Sequence, residues 1–278
     1  GCAYCYARPT HEYLGFSAGL DFETRIMIKE DAPELLRQEL ASPRWRPQVL
    51  GLSGVTDPYQ PVERKVCLTR RCLEVLCEFR NPVALVTKNA LVSRDADLLG
   101  ELASHRAAAV FLSITTLDGE LVGKMEPRSS HPRRRLEALR ALSRAGIPCG
   151  VLVAPVIPGL NDHEIPSILE AAAEAGARTA GYILLRLPGA VRPVFEEWLA
   201  AHFPERKQKV LNRLRELRDG QLNDPRFGAR MKGRGAVADH LRTLFATSRR
   251  RYGLGERDLP LSTDAFRRPG ESRQLALF

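Results

Sequence analysis

Two cysteines near the amino end, Cys2 and Cys5, have the spacing that points most directly to chemistry. A C-x-x-C pair can be half of a zinc site, a dithiol redox pair or part of an iron–sulfur site. A zinc site needs two more ligands, and the sequence shows neither a second C-x-x-C nor a His pair. A thioredoxin-like pair starts a helix, and the Arg8–Pro9 dipeptide argues against a helix there. The iron–sulfur interpretation stays open.

The other four cysteines carry weaker signals. Cys67, Cys72 and Cys77 are spaced by five residues, and helical steps of about 100° spread them around a helix rather than on one face. They are not expected to form a second cluster. Cys149 begins an apolar segment and is expected to be a small buried residue.

The elements that must position Cys2 and Cys5 alternate along the chain. Apolar segments that predict strands cover 48–53, 83–87, 108–115, 150–157 and 179–187. Helices are predicted over 31–40, 68–79, 95–104, 132–144, 163–175, 194–202, 205–218 and 236–249. Continuous apolar strands joined by helices indicate a parallel sheet buried on both faces, either a barrel or a doubly wound sheet. Reactive residues are then expected at the carboxyl ends of the strands.

Composition excludes several classes of protein. The chain has 278 residues, 44% hydrophobic and 27% charged, which is typical of a soluble globular protein with a sizeable core. No apolar run reaches the ~18–20 residues of a membrane span, so neither a transmembrane protein nor a membrane partner is expected. Unevenly spaced cysteines in a long chain do not form the disulfide framework of a secreted domain. A cytoplasmic location is therefore expected.

The positive charge is confined to the last quarter of the chain. Residues 1–203 carry 24 basic and 24 acidic side chains, whereas residues 204–278 carry 18 and 9, which accounts for the whole net charge of +9. A basic appendage on a neutral body indicates an electrostatic contact with nucleic acid. A solvated, arginine-rich tail explains the same numbers, and both interpretations stay open.

Several segments resemble the radical S-adenosylmethionine (SAM) superfamily, in particular its branch similar to spore photoproduct lyase. GCAYCYARPTHEYLG resembles the family's C-x-x-x-C-x-x-C loop, with Cys2 and Cys5 at its second and third cysteines. The first cysteine is expected upstream of Gly1, together with a first strand. The resemblance continues in GLSGVTDPYQPVE (51–63), SITTLDGELVGKMEPR (113–128) and APVIPGLND (154–162).

The resemblance implies an α/β fold, a (β/α)6 partial barrel, over residues 1–190. A helical basic extension is expected over 191–251 and a flexible basic tail over 252–278, with little fixed structure from Tyr252 onward.

The resemblance also implies a [4Fe–4S] cluster held by three thiolates, with SAM chelated to the open iron. One electron, from a donor such as flavodoxin or ferredoxin, would cleave SAM to a 5′-deoxyadenosyl radical that abstracts hydrogen from the substrate. A lyase-like enzyme acting on DNA in repair is the first hypothesis. The same chemistry on RNA, a peptide or a metabolite, and a non-enzymatic metal-binding scaffold associated with nucleic acid or the sliding clamp, are the alternatives.

By the same resemblance, the cofactor-binding candidates lie in the cysteine loop and at strand ends. They are Tyr4, Ser53, Gly54, Thr56, Asp57, Ser113, Thr115, Ile157 and Gly159. The resemblance places Tyr4 near the adenine and the loop around Asp57 near the methionine amino group. An Asx-type turn before Pro58 is the alternative for Asp57, and a simple turn is the alternative for Gly159.

Three charged residues add weaker candidates. Lys88 follows a predicted strand and is expected to point toward the site, unless it is an ordinary surface lysine. Glu126 and Arg128 are predicted to pair and to orient the cofactor carboxylate. The sequence departs from the lyase branch at one position that bears on the substrate. That branch carries a hydrogen-donor cysteine near the end of its second strand, and the comparable residues 52–56 contain no cysteine.

The last five residues, QLALF, resemble the peptide by which bacterial repair and replication proteins dock on the sliding clamp. Leu277 and Phe278 would fill an apolar pocket and Gln274 would make polar contacts, with Leu275 inside the motif. An apolar terminus folded back on the body is the alternative.

Overall fold

Five parallel strands form the centre of the computed structural model, which describes residues 1–226, 229–256 and 259–270. They are β1 (Leu50–Leu52), β2 (Val83–Thr87), β3 (Ala108–Ser113), β4 (Cys149–Val156) and β5 (Thr179–Leu184). The strands are hydrogen-bonded in sequence order, and each pair is parallel. Helices join successive strands, so the carboxyl ends of all five lie at one edge of the sheet. The predicted α/β fold class is confirmed.

The helices of this described part follow the predicted alternation. They are α1 (Pro9–Glu12), α2 (Leu20–Thr24), α3 (Ala32–Ala41), α4 (Glu63–Val66), α5 (Leu68–Phe79), α6 (Ala96–Ser104), α7 (Gly119–Met125), α8 (Pro132–Arg144), α9 (Ile165–Glu174), α10 (Val191–His202), α11 (Pro204–Glu216), α12 (Ala229–Lys232) and α13 (Gly235–Arg251). The bounds of α5 and α8 agree with the predicted bounds at both ends. None of these helices combines the length and the apolar composition that crossing a bilayer requires.

One face of the sheet is covered by α5, α6 and α8. Every residue of β3 is buried, and Ala108, Val110 and Leu112 share an apolar cluster with Leu73 and Leu76 of α5. Because successive strand residues point to opposite faces, burial of the whole strand requires cover on both faces. The continuous apolar run of β3 therefore reflects its central place in the sheet.

Two glycines end α8 and α9, as predicted. Gly146 follows α8 with a φ of +77°, and Gly176 follows α9 with a φ of +95°. Glycine adopts this left-handed conformation without the steric cost that a Cβ would impose. Each turn redirects the chain toward the next strand.

The segment after α13 is fixed to the sheet domain where the structure describes it, over 252–256 and 259–270. Gly255 bridges to Thr179 at the start of β5, and Phe266 lies 6.3 Å from Phe79 between ring centroids. The prediction of little fixed structure from Tyr252 onward is wrong for these residues. Glycine, proline and arginine dominate the segment, but its few apolar side chains and hydrogen bonds such as that from the Arg267 N–H to the Phe79 carbonyl, at 2.9 Å, hold it in place.

Two of those apolar side chains cover the second face of the sheet. Leu259 and Leu261 pack against Ala109, Phe111 and Leu152, the strand residues that point away from α5, α6 and α8. This cover leaves the carboxyl edge of the sheet as the end where loops can gather around a ligand.

Candidate active site

The cysteine loop, residues 1–8, lies at the carboxyl edge of the sheet. The backbone N–H of Ala3 donates to the carbonyl of Met125, at 3.1 Å, in the segment that follows β3. Lys88, which follows β2, places its Nζ 5.8 Å from the centre of the Tyr4 ring. Lys88 therefore points toward the cysteine loop, as predicted.

Local hydrogen bonds hold the two cysteines close together. The N–H of Cys5 donates to the carbonyl of Cys2 at 3.2 Å, and the buried Arg8 donates from Nη2 to the same carbonyl at 3.1 Å. Glu23 accepts from Arg8 at 2.6 Å. The expectation that Arg8–Pro9 excludes a helix is wrong, because Pro9 begins the one-turn helix Pro9–Glu12, where a missing N–H costs nothing.

A buried carboxylate joins the cysteine loop to the sheet. Glu126 is 1% exposed; it accepts a hydrogen bond from the hydroxyl of Tyr4 and another from the hydroxyl of Thr115, the latter at 2.8 Å. Its ion-pair partner is Arg135 of α8, which is fully buried. The predicted pairing of Glu126 with Arg128 is wrong, since Arg128 donates to the carbonyl of Glu23 instead. The end of α7 aims Glu126 inward and leaves Arg128 at the surface.

Charges around this carboxylate set its protonation. Burial alone would raise the pKa of Glu126, but the positive charges of Arg135 and Lys88 and the hydrogen bonds it accepts outweigh burial and lower it. Burial raises the pKa of Tyr4 well above its usual value, with the Glu126 charge acting in the same direction. Burial is the main cause that raises the pKa of the Cys2 thiol to about 12, and the negative charge of Glu126 adds to it. The Cys2 thiol of the metal-free protein is therefore protonated at neutral pH.

Asp57, after β1, makes the turn that was the alternative to a cofactor contact. Its carboxylate accepts from the N–H of Tyr59 at 2.9 Å, which forms an Asx-type turn across Pro58. It also accepts from the Thr87 hydroxyl at 2.6 Å and the Lys88 N–H at 2.7 Å, at the end of β2. Its binding to the methionine amino group stays a prediction.

The neighbouring candidates line the same loop. Ser53 has a φ of +131°, a backbone conformation that residues other than glycine rarely adopt. Gly54 and Thr56 are exposed, and the carbonyl of Gly54 lies 3.5 Å from the hydroxyl of Tyr6. The loop after β1 is thus in contact with the cysteine loop, as a shared ligand site requires.

Ser113 and Thr115 lie at the end of β3, in contact with the Glu126–Arg135 pair. The carbonyl of Ser113 accepts from Arg135 Nη1 at 2.8 Å, and both side chains are buried. Asn161 links this end to β4, since its amide donates to the Thr115 carbonyl at 2.8 Å and accepts from the Ile157 N–H at 2.6 Å. Ile157 is therefore held beside Thr115.

Gly159 differs from the other candidates. Its φ is +87°, its N–H donates to Asp162 at 2.9 Å, and its nearest neighbours are side chains of α11, including Arg213. This is the geometry of the simple turn that was the alternative. Contact with an adenine stays a prediction at this position.

Arg135 and Asn161 are the site residues that sequence reasoning missed. Arg135 stands three, four and seven residues before Ala138, Leu139 and Leu142, on the buried stripe of α8. A charged residue on an apolar helix stripe indicates a buried ion pair, and this was the signal that could have identified Arg135. Asn161 gave no comparable signal, because its three hydrogen bonds depend on how the loop after β4 folds back.

Cys2 and Cys5 suit an iron–sulfur cluster. Both thiols are free and partly exposed, and thiolates are the ligands such clusters take. The described residues contain no group of three or more Cys, His, Asp or Glu side chains that could hold a metal. Gln274, Leu275, Leu277 and Phe278 lie outside the described residues.

Solved structures similar to this fold include spore photoproduct lyase. Its complex with a dinucleoside spore photoproduct has a TM-score of 0.61 and 16% sequence identity, covering 92% of this chain and 71% of the lyase chain. A mutant of the lyase with bound S-adenosylmethionine and dinucleoside spore photoproduct gives a TM-score of 0.62 at 16% identity, over 93% and 73%. At this identity the likeness concerns the fold.

Sequence relatives extend across bacteria and archaea. An uncharacterized protein of Mycobacterium tuberculosis is 37% identical over 236 residues, which cover 84% of this chain and 68% of that protein. One of Methanocaldococcus jannaschii is 31% identical over 163 residues, or 59% and 58%. The family model described as the radical SAM superfamily matches residues 1–172, from the cysteine loop through most of α9. The chain therefore belongs to the radical SAM superfamily.

Proposed function

We propose that this protein is a radical SAM enzyme that binds a [4Fe–4S] cluster through Cys2, Cys5 and an upstream cysteine, and that acts on DNA in repair. The observation that carries the proposal is the C-x-x-C loop fixed at the carboxyl edge of a parallel α/β sheet. The superfamily to which the chain belongs uses this arrangement with the same cofactors. Held by these thiolates, the cluster would supply the one electron that cleaves SAM to methionine and a 5′-deoxyadenosyl radical, and that radical would take hydrogen from the substrate.

The residues of this chain position the cofactors and keep water away. Tyr4, which lies between the cysteines in the sequence, is buried and ties the loop to Glu126 next to the sheet. Arg8 holds the Cys2 carbonyl and limits the backbone freedom of the loop. Such support matters because the protein's part in cofactor chemistry is orientation and exclusion of competing reactions.

Two observations favour DNA as the substrate. The fold resembles that of spore photoproduct lyase, and the last quarter of the chain carries the whole net positive charge. The missing cysteine in the loop after β1 argues for a hydrogen-transfer route unlike that of the lyase branch. RNA, a peptide or a metabolite would take the place of DNA if DNA gave no response.

The test uses the full-length natural protein, reconstituted with iron and sulfide without oxygen and reduced by dithionite. It is incubated with SAM and either ultraviolet-irradiated or untreated DNA, and 5′-deoxyadenosine is measured by mass spectrometry. We expect formation that irradiated DNA increases, and that Cys2→Ala and Cys5→Ala abolish. Cys72→Ala is the matched control, since it removes a thiol of α5 and should keep the activity.

Each negative result has its own meaning. No 5′-deoxyadenosine from a protein with a complete cluster, with or without DNA, contradicts the proposed reaction on DNA and leaves the other substrates and the scaffold alternative. Formation that irradiated and untreated DNA leave unchanged contradicts the DNA-repair substrate only. A flavodoxin or ferredoxin in place of dithionite tests the proposed electron donor in the same assay.

We further propose that the QLALF end docks on the bacterial sliding clamp. Deleting residues 274–278 should abolish capture of the protein by immobilised clamp, whereas replacing only Arg273 by Gln should not. Unchanged capture of the deletion variant contradicts the docking proposal. A fall in melting temperature with unchanged capture would support the folded-back terminus instead.

A further inference from the structure

Arg186, two residues beyond the end of β5, is a cation with no acidic partner in the described part of the chain. Its side chain is half-buried, its Nε is buried without a hydrogen-bond partner, and its guanidinium lies 5.8 Å from the centre of the Tyr6 ring. Tyr6 directly follows Cys5 in the cysteine loop. Arg186 therefore stands at the edge of the candidate active site, beside the proposed cluster.

The backbone on both sides of Arg186 is held by the segment after α11. The buried Arg218 donates to the carbonyl of Leu185, and the side chain of Asn223 accepts from the N–H of Leu187 at 3.3 Å. These bonds fix the position of Arg186 without neutralising its charge.

The surroundings of Arg186 add positive charge. Burial lowers the pKa of Arg186, and the charge of Arg230 lowers it further. Burial lowers the pKa of Arg218 to about 10, with Asp224 acting against that shift and Arg186 adding to it. Both arginines stay charged at neutral pH, and Asp224 is engaged by Arg226 at 2.7 Å. Half-buried charge without a counterion destabilises a fold, so a bound anion is the natural partner.

We propose that Arg186, positioned by Arg218, is an anion subsite that binds a phosphate of the substrate's phosphodiester backbone. This inference rests on the proposed function for its substrate. SAM has one carboxylate but two positive groups, so a cluster of arginines repels it overall. Arg186, Arg218 and Arg230 also lie beyond residue 172, outside the region that matches the superfamily model, where groups specific to one substrate are expected.

The test compares Arg186→Gln, Arg186→Lys and Arg144→Gln in the cluster-loaded natural protein. Arg144 is the matched control because it is exposed in the last turn of α8, at the opposite edge of the sheet. Binding of a fluorescein-labelled dT12 oligonucleotide is followed by anisotropy from 50 to 300 mM salt, without reductant. Because no radical forms, the result does not depend on whether SAM is cleaved. SAM affinity and melting temperature are measured for every variant.

For Arg186→Gln we expect at least about a tenfold loss of oligonucleotide affinity, because a charged hydrogen bond is worth a decade or more. The slope of log affinity against log salt should fall by about 0.7. SAM affinity should stay equal or rise, because the substitution removes a positive charge that repels SAM. The melting temperature should stay equal or rise, which a purely structural arginine would not allow. Arg186→Lys should restore part of the affinity, and Arg144→Gln should behave as the natural protein.

Three results would overturn the proposal. In the first, Arg186→Gln binds dT12 as the Arg144→Gln control does. In the second, SAM affinity falls as much as oligonucleotide affinity, which would assign Arg186 to the carboxylate of SAM. In the third, the natural protein does not bind dT12, or binds a twelve-residue glutamate peptide equally well.

Discussion

Replacing Glu126 by Gln tests whether the buried ion pair fastens the cysteine loop. The substitution keeps the shape of the side chain and removes its charge. Its amide nitrogen can donate to the oxygens of Tyr4 and Thr115, and its carbonyl can accept from Arg135. What remains is a fully buried arginine without a counterion.

The magnitude follows from that uncompensated charge. Removing one partner of a buried pair costs about 3–5 kcal/mol, and the retained hydrogen bonds place Glu126→Gln near the lower end. A loss of about 3 kcal/mol lowers the melting temperature by about 5–6 °C in a protein of this size. The matched control is Glu120→Gln on α7, whose exposed pair with Lys124 is worth about 0.3–0.5 kcal/mol. Its melting temperature should fall by about 1 °C.

The pH dependence separates the charge from the packing. Because the ion pair lowers the pKa of Glu126 in the folded protein, its stabilisation is present above the carboxyl's ordinary pKa and is lost as pH falls through the folded value. The gap in melting temperature between the natural protein and Glu126→Gln, measured by calorimetry, should therefore close below about pH 4. A gap of 2 °C or less at pH 7, or one that persists unchanged in acid, would refute the ion-pair reasoning.

Three further predictions concern other parts of the chain. Cys2→Ala and Cys5→Ala should lose bound iron and sulfide after reconstitution, whereas Cys72→Ala should keep both; equal contents by metal analysis would contradict the ligand assignment. The hydrogen bond from Arg70 lowers the pKa of Asp97 to about 2, and at this exposed position the pair should contribute at most about 1 kcal/mol to stability. The stability that Asp97→Asn loses, measured by denaturant titration, should therefore vanish as pH falls from about 4 to about 2. A loss that stays constant over this range would argue against the ion pair. Phe266→Ala should speed tryptic cleavage within 259–270 several-fold, as followed by mass spectrometry, whereas an unchanged rate would mean that this ring does not anchor the segment.

The fold could be predicted because its signals are local. Continuous apolar runs marked β2, β3 and β4, and helical spacing with Pro132 and Gly146 marked the bounds of α8. β1 is only three residues long because, among the described residues, it pairs with β2 alone. The segment after Tyr252 was mispredicted because its composition is typical of a tail, whereas two leucines, a phenylalanine and backbone hydrogen bonds hold it on the sheet domain.

The site could be predicted only in part. Spacing and resemblance identified Cys2 and Cys5, and position at a strand end identified Lys88. The partner of Glu126 could not be read from the sequence, since Arg128 and Arg135 are both near in the chain and the packing of α7 against α8 decides between them. Arg186 was missed for the same reason, because its lack of a counterion is a property of the folded chain.

Electron paramagnetic resonance of the reduced, reconstituted protein tests most directly whether Cys2 and Cys5 hold a cluster that binds SAM. We predict a signal of a reduced [4Fe–4S] cluster that changes shape when SAM is added, because SAM would bind the iron that the three thiolates leave open. The signal should be lost in Cys2→Ala and Cys5→Ala and kept in Cys72→Ala. A full cluster signal that SAM leaves unchanged, or one that survives both alanine substitutions, would contradict the assignment.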